Sequence, residues 1–317
     1  MAKNILIIGD ETDLHIISVY KFLEEGGANI LVLNPADGNS GKITYSFSPF
    51  QLTFTDIGKT IDYTDITAVW WRLKPNMRST PSDMSESATA GFISREWQLS
   101  LEPLRFFLKH AVWINNRSAD LAIRNKPYQL YLAGKYGFRT PETIISNNYD
   151  LIQKESSQFK EVLYKPLSYF AEQQDKILFS NRMTMQELEN FGDNISLAPC
   201  IFQNYVDKDH ELRITVVDDT AFAVKIYSQE DELSKFDWRR NLFKVKYEAV
   251  ALEKEFEKKL LKFHKAIDLV YGAYDFIVDK KGEPVFLEVN HVGQWLWLEN
   301  MLNIEISKKI ADTLLRA

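Results

Sequence analysis

Two short runs late in the chain hold the residues best suited to chemistry. Asp275 lies in Ala273-Tyr274-Asp275-Phe276-Ile277-Val278-Asp279, and Glu288 and Asn290 lie in Pro284-Val285-Phe286-Leu287-Glu288-Val289-Asn290. Both runs have the apolar content of strands, and Lys280-Lys281-Gly282-Glu283 between them reads as a hairpin turn. Alternation along the strands places Asp275, Glu288 and Asn290 on one edge as a cluster of hard oxygen donors. Carboxylate and amide oxygens suit Mg²⁺, which keeps room for phosphate and water, so the cluster meets the needs of an ATP·Mg²⁺ site. A bare Asp–Glu pair on neighbouring strands is more often an ordinary solvated pair. The cations elsewhere in the chain therefore decide the matter.

No Walker A motif is present, so a nucleotide must be held in another way. Lys126, on a helix, and Lys165, at a strand end, are either surface lysines or point charges aimed at phosphate. The apolar run Ile201-Phe202-Gln203-Asn204-Tyr205-Val206 breaks into Asp207-Lys208-Asp209-His210. Its backbone, around Gln203, Tyr205 and Val206, can meet an adenine edge, with Asp209 beyond it to meet ribose. Glu211 and Arg213 share one face of the next strand, and Lys225 follows on its partner. Arg213, Lys225 and Arg239 are cations and Glu211 is an acid, and the resemblance stated below gives them catalytic and nucleotide-binding roles respectively. The Arg239-Arg240-Asn241 loop offers guanidinium to phosphate and an amide oxygen to metal.

The elements that must position these groups spell an α/β chain. Its 317 residues suit two domains or one large one, and a hydrophobic content of 45% supports a substantial core. A net charge of −6 argues against a nucleic-acid partner. No apolar run approaches the ~18 residues of a membrane span. The N-terminus lacks a signal peptide's apolar stretch, and Cys200 is the one cysteine, so a cytoplasmic location is expected. Strands at 4–8 and 29–33 flank a helix at 13–25, the opening of a doubly wound sheet, but without GxGxxG in the connecting loop. Edge strands at 43–55, a strand at 68–73, a polar loop at 76–89, a helix at 90–109 and a strand at 111–114 complete a first unit, 1–117. A middle unit, 118–200, opens with a helix from Ser118 to Tyr136. Strands follow at 161–165 and 176–180, and an acidic helix at 184–191. The last unit, 201–317, carries strands at 200–206, 212–217 and 220–227, a loop at 228–243, a charged helix at 249–270, the hairpin and a final helix at 303–315.

The order Lys, Lys, apolar hinge, Glu-x-Arg, Arg-x-Asn, Asp, Glu-x-Asn resembles the ATP-grasp ligases over roughly residues 118–298. The ending Glu288-Val289-Asn290-His291-Val292-Gly293-Gln294-Trp295 is similar to the signature of the graspetide (microviridin-type) peptide macrocyclases. So are Val69-Trp70-Trp71-Arg72, Glu211-Leu212-Arg213-Ile214-Thr215-Val216-Val217 and the Asp237-Trp238-Arg239 loop. His291 stands where that family has proline, and Leu73 where a second arginine is expected. The resemblance implies an ATP-grasp fold with an N-terminal Rossmann-like (pre-ATP-grasp) domain, a central domain with the ATP lid and leader docking, and a C-terminal ATP-grasp domain.

It also implies a mechanism. ATP phosphorylates an Asp or Glu side chain of a precursor peptide, and a Ser or Thr hydroxyl displaces the phosphate to close an ω-ester. Lactam formation with Lys, or ligation of an amino acid or glutamate to a protein terminus, is the alternative. Asp275, Glu288 and Asn290 would hold Mg²⁺, with Lys126 and Lys165 on the phosphates and Arg213 and Arg239 on the transferring group. Arg72, Asp237, Trp238 and Trp295 would meet the substrate. Arg72 is otherwise a structural ion pair, and Trp295 with Trp297 otherwise core. The partner implied is a precursor with a leader and a Thr/Ser/Asp/Glu-rich core, its leader docking on about 175–189 with Arg182 and Glu187 on the rim. A homodimer fits the family.

Overall fold

The computed structural model describes residues 2–37, 41–56, 58–73, 88–167, 171–172, 176–177, 181–190, 192–230, 234–235, 238–241 and 244–317. Strands Asn4–Ile8, Asn29–Leu33, Ile66–Trp71 and Val112–Ile114 form a parallel sheet with Asn4–Ile8 and Ile66–Trp71 at its centre. Ile5 to Ile8 are wholly buried, and their alternation feeds two cores. Leu6 and Ile8 pack with Leu31, Val69 and Leu104. Ile5 and Ile7 pack with Trp70, but also with Val217, Tyr271, Trp295, Ile306, Ile310 and Leu314 from the last third of the chain. The N-terminal unit and the C-terminal helices therefore share one apolar cluster. Strands Lys42–Phe47, Phe50–Asp56 and Lys59–Asp62 make a separate antiparallel sheet.

Two helices that periodicity predicts as continuous are broken at proline. The helix expected over 90–109 is Ala88–Leu101 followed by Leu104–Phe107, because Pro103 cannot donate within a helix and takes the N-cap of the second. The helix expected from Ser118 to Tyr136 is Arg117–Ile123, capped by Asn116, and Lys126–Lys135, whose first turn holds Pro127. That break brings Lys126 to a helix start. Of the polar loop expected at 76–89, all but the last two residues lie outside the described residues.

The middle of the chain forms a four-stranded antiparallel sheet in the order Asn181–Met183, Val162–Lys165, Cys200–Asn204, Thr143–Ser146. The strand predicted over 200–206 stops at Asn204. Only Lys176–Ile177 of the strand predicted at 176–180 is described. Helix Tyr149–Ser156 closes this unit over Ile152, Phe159, Val162 and Phe202.

The last unit is a five-stranded antiparallel sheet in the order Tyr247–Val250, Thr220–Ile226, Lys208–Val217, Tyr271–Asp279, Pro284–Asn290. The charged helix predicted at 249–270 is shorter, Lys254–Ala266, because its first residues instead form the edge strand Tyr247–Val250. It covers the face carrying Ile214, Tyr274, Phe276 and Phe286. The final helix expected at 303–315 is Ile306–Leu315, and a further helix not expected from the sequence, Leu296–Leu302, precedes it and ends at Asn303 in the left-handed conformation with φ 53. Among the described residues no helix is long and apolar enough to cross a membrane.

Candidate functional site

The hairpin strands pair with Asp275 opposite Glu288 and Ala273 opposite Asn290. Next to them Phe276 pairs with Phe286, so the ladder skips Leu287 and contains a bulge. The bulge lets Phe286 enter the core while Glu288 still meets Asp275. On the other flank Arg213 pairs with Asp275. Arg213 Nη1 donates to both Asp275 oxygens at 2.9 Å, and Nη2 donates to Gln294 O at 3.3 Å. Both burial and charge act here. Burial, the largest single influence, would lower the Arg213 pKa, but Asp275, Tyr271 and Glu288 together outweigh it and the pKa rises. Burial pushes Asp275 up against the pull of Arg213.

Glu288 behaves differently. Burial alone would raise its pKa, but Lys126, Lys165, Arg239 and Arg213 together hold it below the usual range. Lys126 Nζ stands 3.8 Å from Glu288 Oε2. Four cations from four separate elements thus converge on one carboxylate. Asn290 Oδ1 accepts from Val292 N–H at 3.2 Å and keeps a second lone pair. Among the described residues no group of three or more His, Cys, Asp or Glu could hold a metal. A cation here would use Asp275, Glu288 and the Asn290 amide oxygen, completed by phosphate or water. That all-oxygen set suits Mg²⁺.

The nucleotide-side residues divide. Buried Gln203 donates from its amide to Thr143 Oγ1 at 2.9 Å. The backbone N–H of Tyr205 donates to Glu161 O at 2.9 Å, and Val206 beside it is half-buried. Glu211 faces the same way as Arg213, lies buried, and pairs with Lys208, a buried lysine that the sequence reading passed over as a turn residue. Asp209 is turned to His210 at 2.8 Å and to Lys280 at 3.7 Å, so its carboxylate, expected to meet ribose, is engaged by these two side chains instead.

Three other expectations, on Lys225, Trp295 and Arg72, are corrected, and the leader-side residues Arg182 and Glu187 are placed. Lys225 pairs with Leu212, whereas Arg213 pairs with Val224. Directly opposed residues share a face, so Lys225 lies on the opposite side of the sheet from Arg213, with its Nζ 4.7 Å from the Tyr227 ring centroid. Trp295 is 1% exposed and packs against Trp70 and Tyr271 as core, so it walls no cleft. Arg72 is 2% exposed and donates to Val292 O and Gly293 O at 2.9 and 3.1 Å, which commits it to backbone rather than to a peptide carboxylate. Glu187 caps its own helix through Thr184, and Arg182 is ion-paired to Glu161 and lies 5.0 Å from the Tyr205 ring, towards the nucleotide side. Asp237 lies outside the described residues. Trp238 packs at a tilt against Trp297, with ring centroids 5.0 Å apart, and so anchors the short turn that carries Arg239.

Several supporting residues gave no signal in the sequence. The Gln129 amide both donates to Val289 O and accepts from Val289 N–H, at 3.0 and 2.9 Å, standing in for a further strand beside Glu288. Asn115 donates to His291 O at 3.1 Å, and the His291 ring meets Asp120.

A family profile for the RimK-like ATP-grasp domain matches residues 123–314. No curated protein sequence matches the chain. Among solved structures, the Chryseobacterium gregarium RiPP-associated ATP-grasp ligase in complex with ADP and a leader and core peptide is similar at 28% identity and TM-score 0.85, covering 99% of this chain and 97% of that one. Macrocyclase MdnC from Microcystis aeruginosa, bound with precursor peptide MdnA, is similar at 27% identity and TM-score 0.86, covering 99% and 100%. Macrocyclase MdnB from the same organism shows 25% identity and TM-score 0.77, with coverage of 99% and 100%.

Proposed function

Because the chain belongs to the RimK-like ATP-grasp family, we propose that it is an ATP-dependent carboxylate ligase that closes rings in a ribosomally made precursor peptide. The observation that carries this reading is the convergence of Lys126, Lys165, Arg213 and Arg239 on the Asp275–Glu288 pair. Such a cluster compensates the charge of a polyphosphate and of a phosphoryl group in transfer. The full-length likeness to peptide-bound ligases directs it to peptides.

In this reading Lys126 and Lys165 neutralise the nucleotide phosphates. The segment from Gln203 to Val206 lines the base, and Glu211, fixed by Lys208, faces the sugar. Asp275, Glu288 and Asn290 would hold Mg²⁺, which when bound supplies positive charge to the phosphate oxygens. Arg213 and Arg239 steady the moving phosphoryl group. The peptide's Asp or Glu carboxylate takes the terminal phosphoryl of ATP, giving an acyl phosphate and ADP. A Ser or Thr hydroxyl oxygen then forms a bond to the acyl carbon. The C–O bond to phosphate breaks with its electron pair, inorganic phosphate departs, and the hydroxyl proton is lost. One water's mass disappears per ring, and the product is an ω-ester. The leader docks along strand Asn181–Met183 and helix Met185–Glu189.

Mass spectrometry tests this directly. The protein is incubated with ATP, Mg²⁺ and a peptide carrying a leader and a Thr/Ser/Asp/Glu-rich core. A loss of one water per ring that mild base reverses is expected. A base-stable loss would replace the ester with an amide, and no loss, with ATP consumed or not, would end the macrocyclase reading.

A further inference from the structure

The N-terminal α/β unit reaches the site through a path that the reaction above does not use. Helix Leu14–Glu25 is capped by Asp13, whose carboxylate accepts from the backbone N–H of His15 at 2.9 Å. The same oxygen lies 2.8 Å from His15 Nδ1, and the other accepts from Arg72 Nε at 3.3 Å. His15 Nε2 faces two donors, the backbone N–H groups of Trp295 and Leu296, at 3.3 and 3.4 Å. A ring nitrogen that accepts carries no proton, so His15 is fixed as the tautomer with its hydrogen on Nδ1, donated to Asp13. Arg72 grips the same segment from the other side, through Val292 O and Gly293 O, with its guanidinium 4.9 Å from the Trp295 ring centroid.

That segment, Val292 to Leu296, backs Arg213. Arg213 Nη2 donates to Gln294 O, and a Cβ on Gly293 would stand 2.9 Å from Nη2. His15, Arg72, Trp295 and Arg213 are all at least nine-tenths buried, so little slack exists between them.

We propose that His15 and Arg72 are positioning residues for Arg213, setting the backbone of Val292–Leu296 against which that arginine is aimed. This rests on reading Arg213 as the cation on the transferring phosphoryl group. It gives the N-terminal unit a part in turnover: a helix start in one sheet sets a catalytic side chain in another.

The test compares His15→Leu, which removes the acceptor, with His15→Gln, whose amide oxygen falls near the Nε2 position. Expected in His15→Leu is a loss in kcat of roughly 10- to 100-fold with the KM for ATP little changed. His15→Gln should recover most of that loss. In combination with Arg213→Lys, the His15→Leu effect should shrink to a few-fold, and the shifts in urea midpoint of the single variants should not sum to the shift of the double. Equal activity of His15→Leu and wild type, a Gln variant as poor as the Leu variant, or full additivity with Arg213→Lys in both measurements would overturn the inference. An Arg213→Lys enzyme that turns over like wild type would instead refute the role given to Arg213. The urea cycle needs no substrate, so it still reads the His15–Arg213 coupling in that case.

Discussion

Glu288 stands directly across from Asp275 because the strand pairing between them passes over Leu287. Simple alternation would put Glu288 on the side of Phe286, which is wholly buried in the core. The bulge resolves a conflict between packing and chemistry within three residues, as bulges beside functional sites tend to do.

The two carboxylates should respond differently to neutralisation. Asp275→Asn leaves the buried Arg213 without its ionic partner and should cost about 3 kcal/mol of stability. Glu288→Gln faces Lys126 at a looser 3.8 Å in a part-exposed setting, so its stability should change by less than about 1 kcal/mol. Turnover should fall by at least about 100-fold in both. Urea titration beside an ADP-release assay separates the two effects, and an active Glu288→Gln would sink the metal assignment.

Gly293→Ala should be costly. Its Cβ would lie 2.5 Å from Ala273 Cβ and 2.9 Å from Arg213 Nη2. Overpacking of this kind costs about 1–3 kcal/mol. Adding Ala273→Gly should restore most of the stability but little of the kcat, since the crowding of Arg213 persists. Recovery of both together would show that Arg213 had not moved.

Stability should fall on mild acidification through His264. This ring is 1% exposed and bonded to the Tyr274 hydroxyl at 2.8 Å, and burial depresses its pKa from 6.5 to about 4. Between those values the unfolded chain holds the extra proton, so stability rises with pH there, by up to about 3 kcal/mol. Urea titrations across that window should show the slope in wild type and its flattening in His264→Gln.

Trp238→Ala should leave the fold intact and lower kcat several-fold, because the contact with Trp297 holds the turn that bears Arg239. Trp238→Phe should keep most of the activity. A drop in melting temperature as large as that of a core truncation would mean that the contact is structural instead.

The sequence made the hairpin legible because its turn and its two apolar runs are local features. Lys126, Lys165, Arg213 and Arg239 are also visible as cations, on a helix, at a strand end, within a strand and in a loop. What stayed hidden depends on partners far along the chain. Counting along one strand orders Glu211 and Arg213 but says nothing of the register with the next, so the face that Lys225 takes is not legible there. Arg72 and Trp295 sit inside motif-like runs, yet their exposure is set by helix Leu14–Glu25 and the C-terminal helices, packed against them from distant sequence. The breaks at Pro103 and Pro127 go unread because the apolar period runs past both prolines. The amide of Gln129 looks like any helical glutamine until the edge of Pro284–Asn290 is laid beside it.

The apolar cluster joining Ile5 and Ile7 to Ile306, Ile310 and Leu314 also bears on the independence of the first sheet. One side of that sheet is covered only once helix Ile306–Leu315 has formed and packed on it. Without helix Ile306–Leu315 the strand Asn4–Ile8 would present a greasy flank, so the first sheet is not self-sufficient on that side.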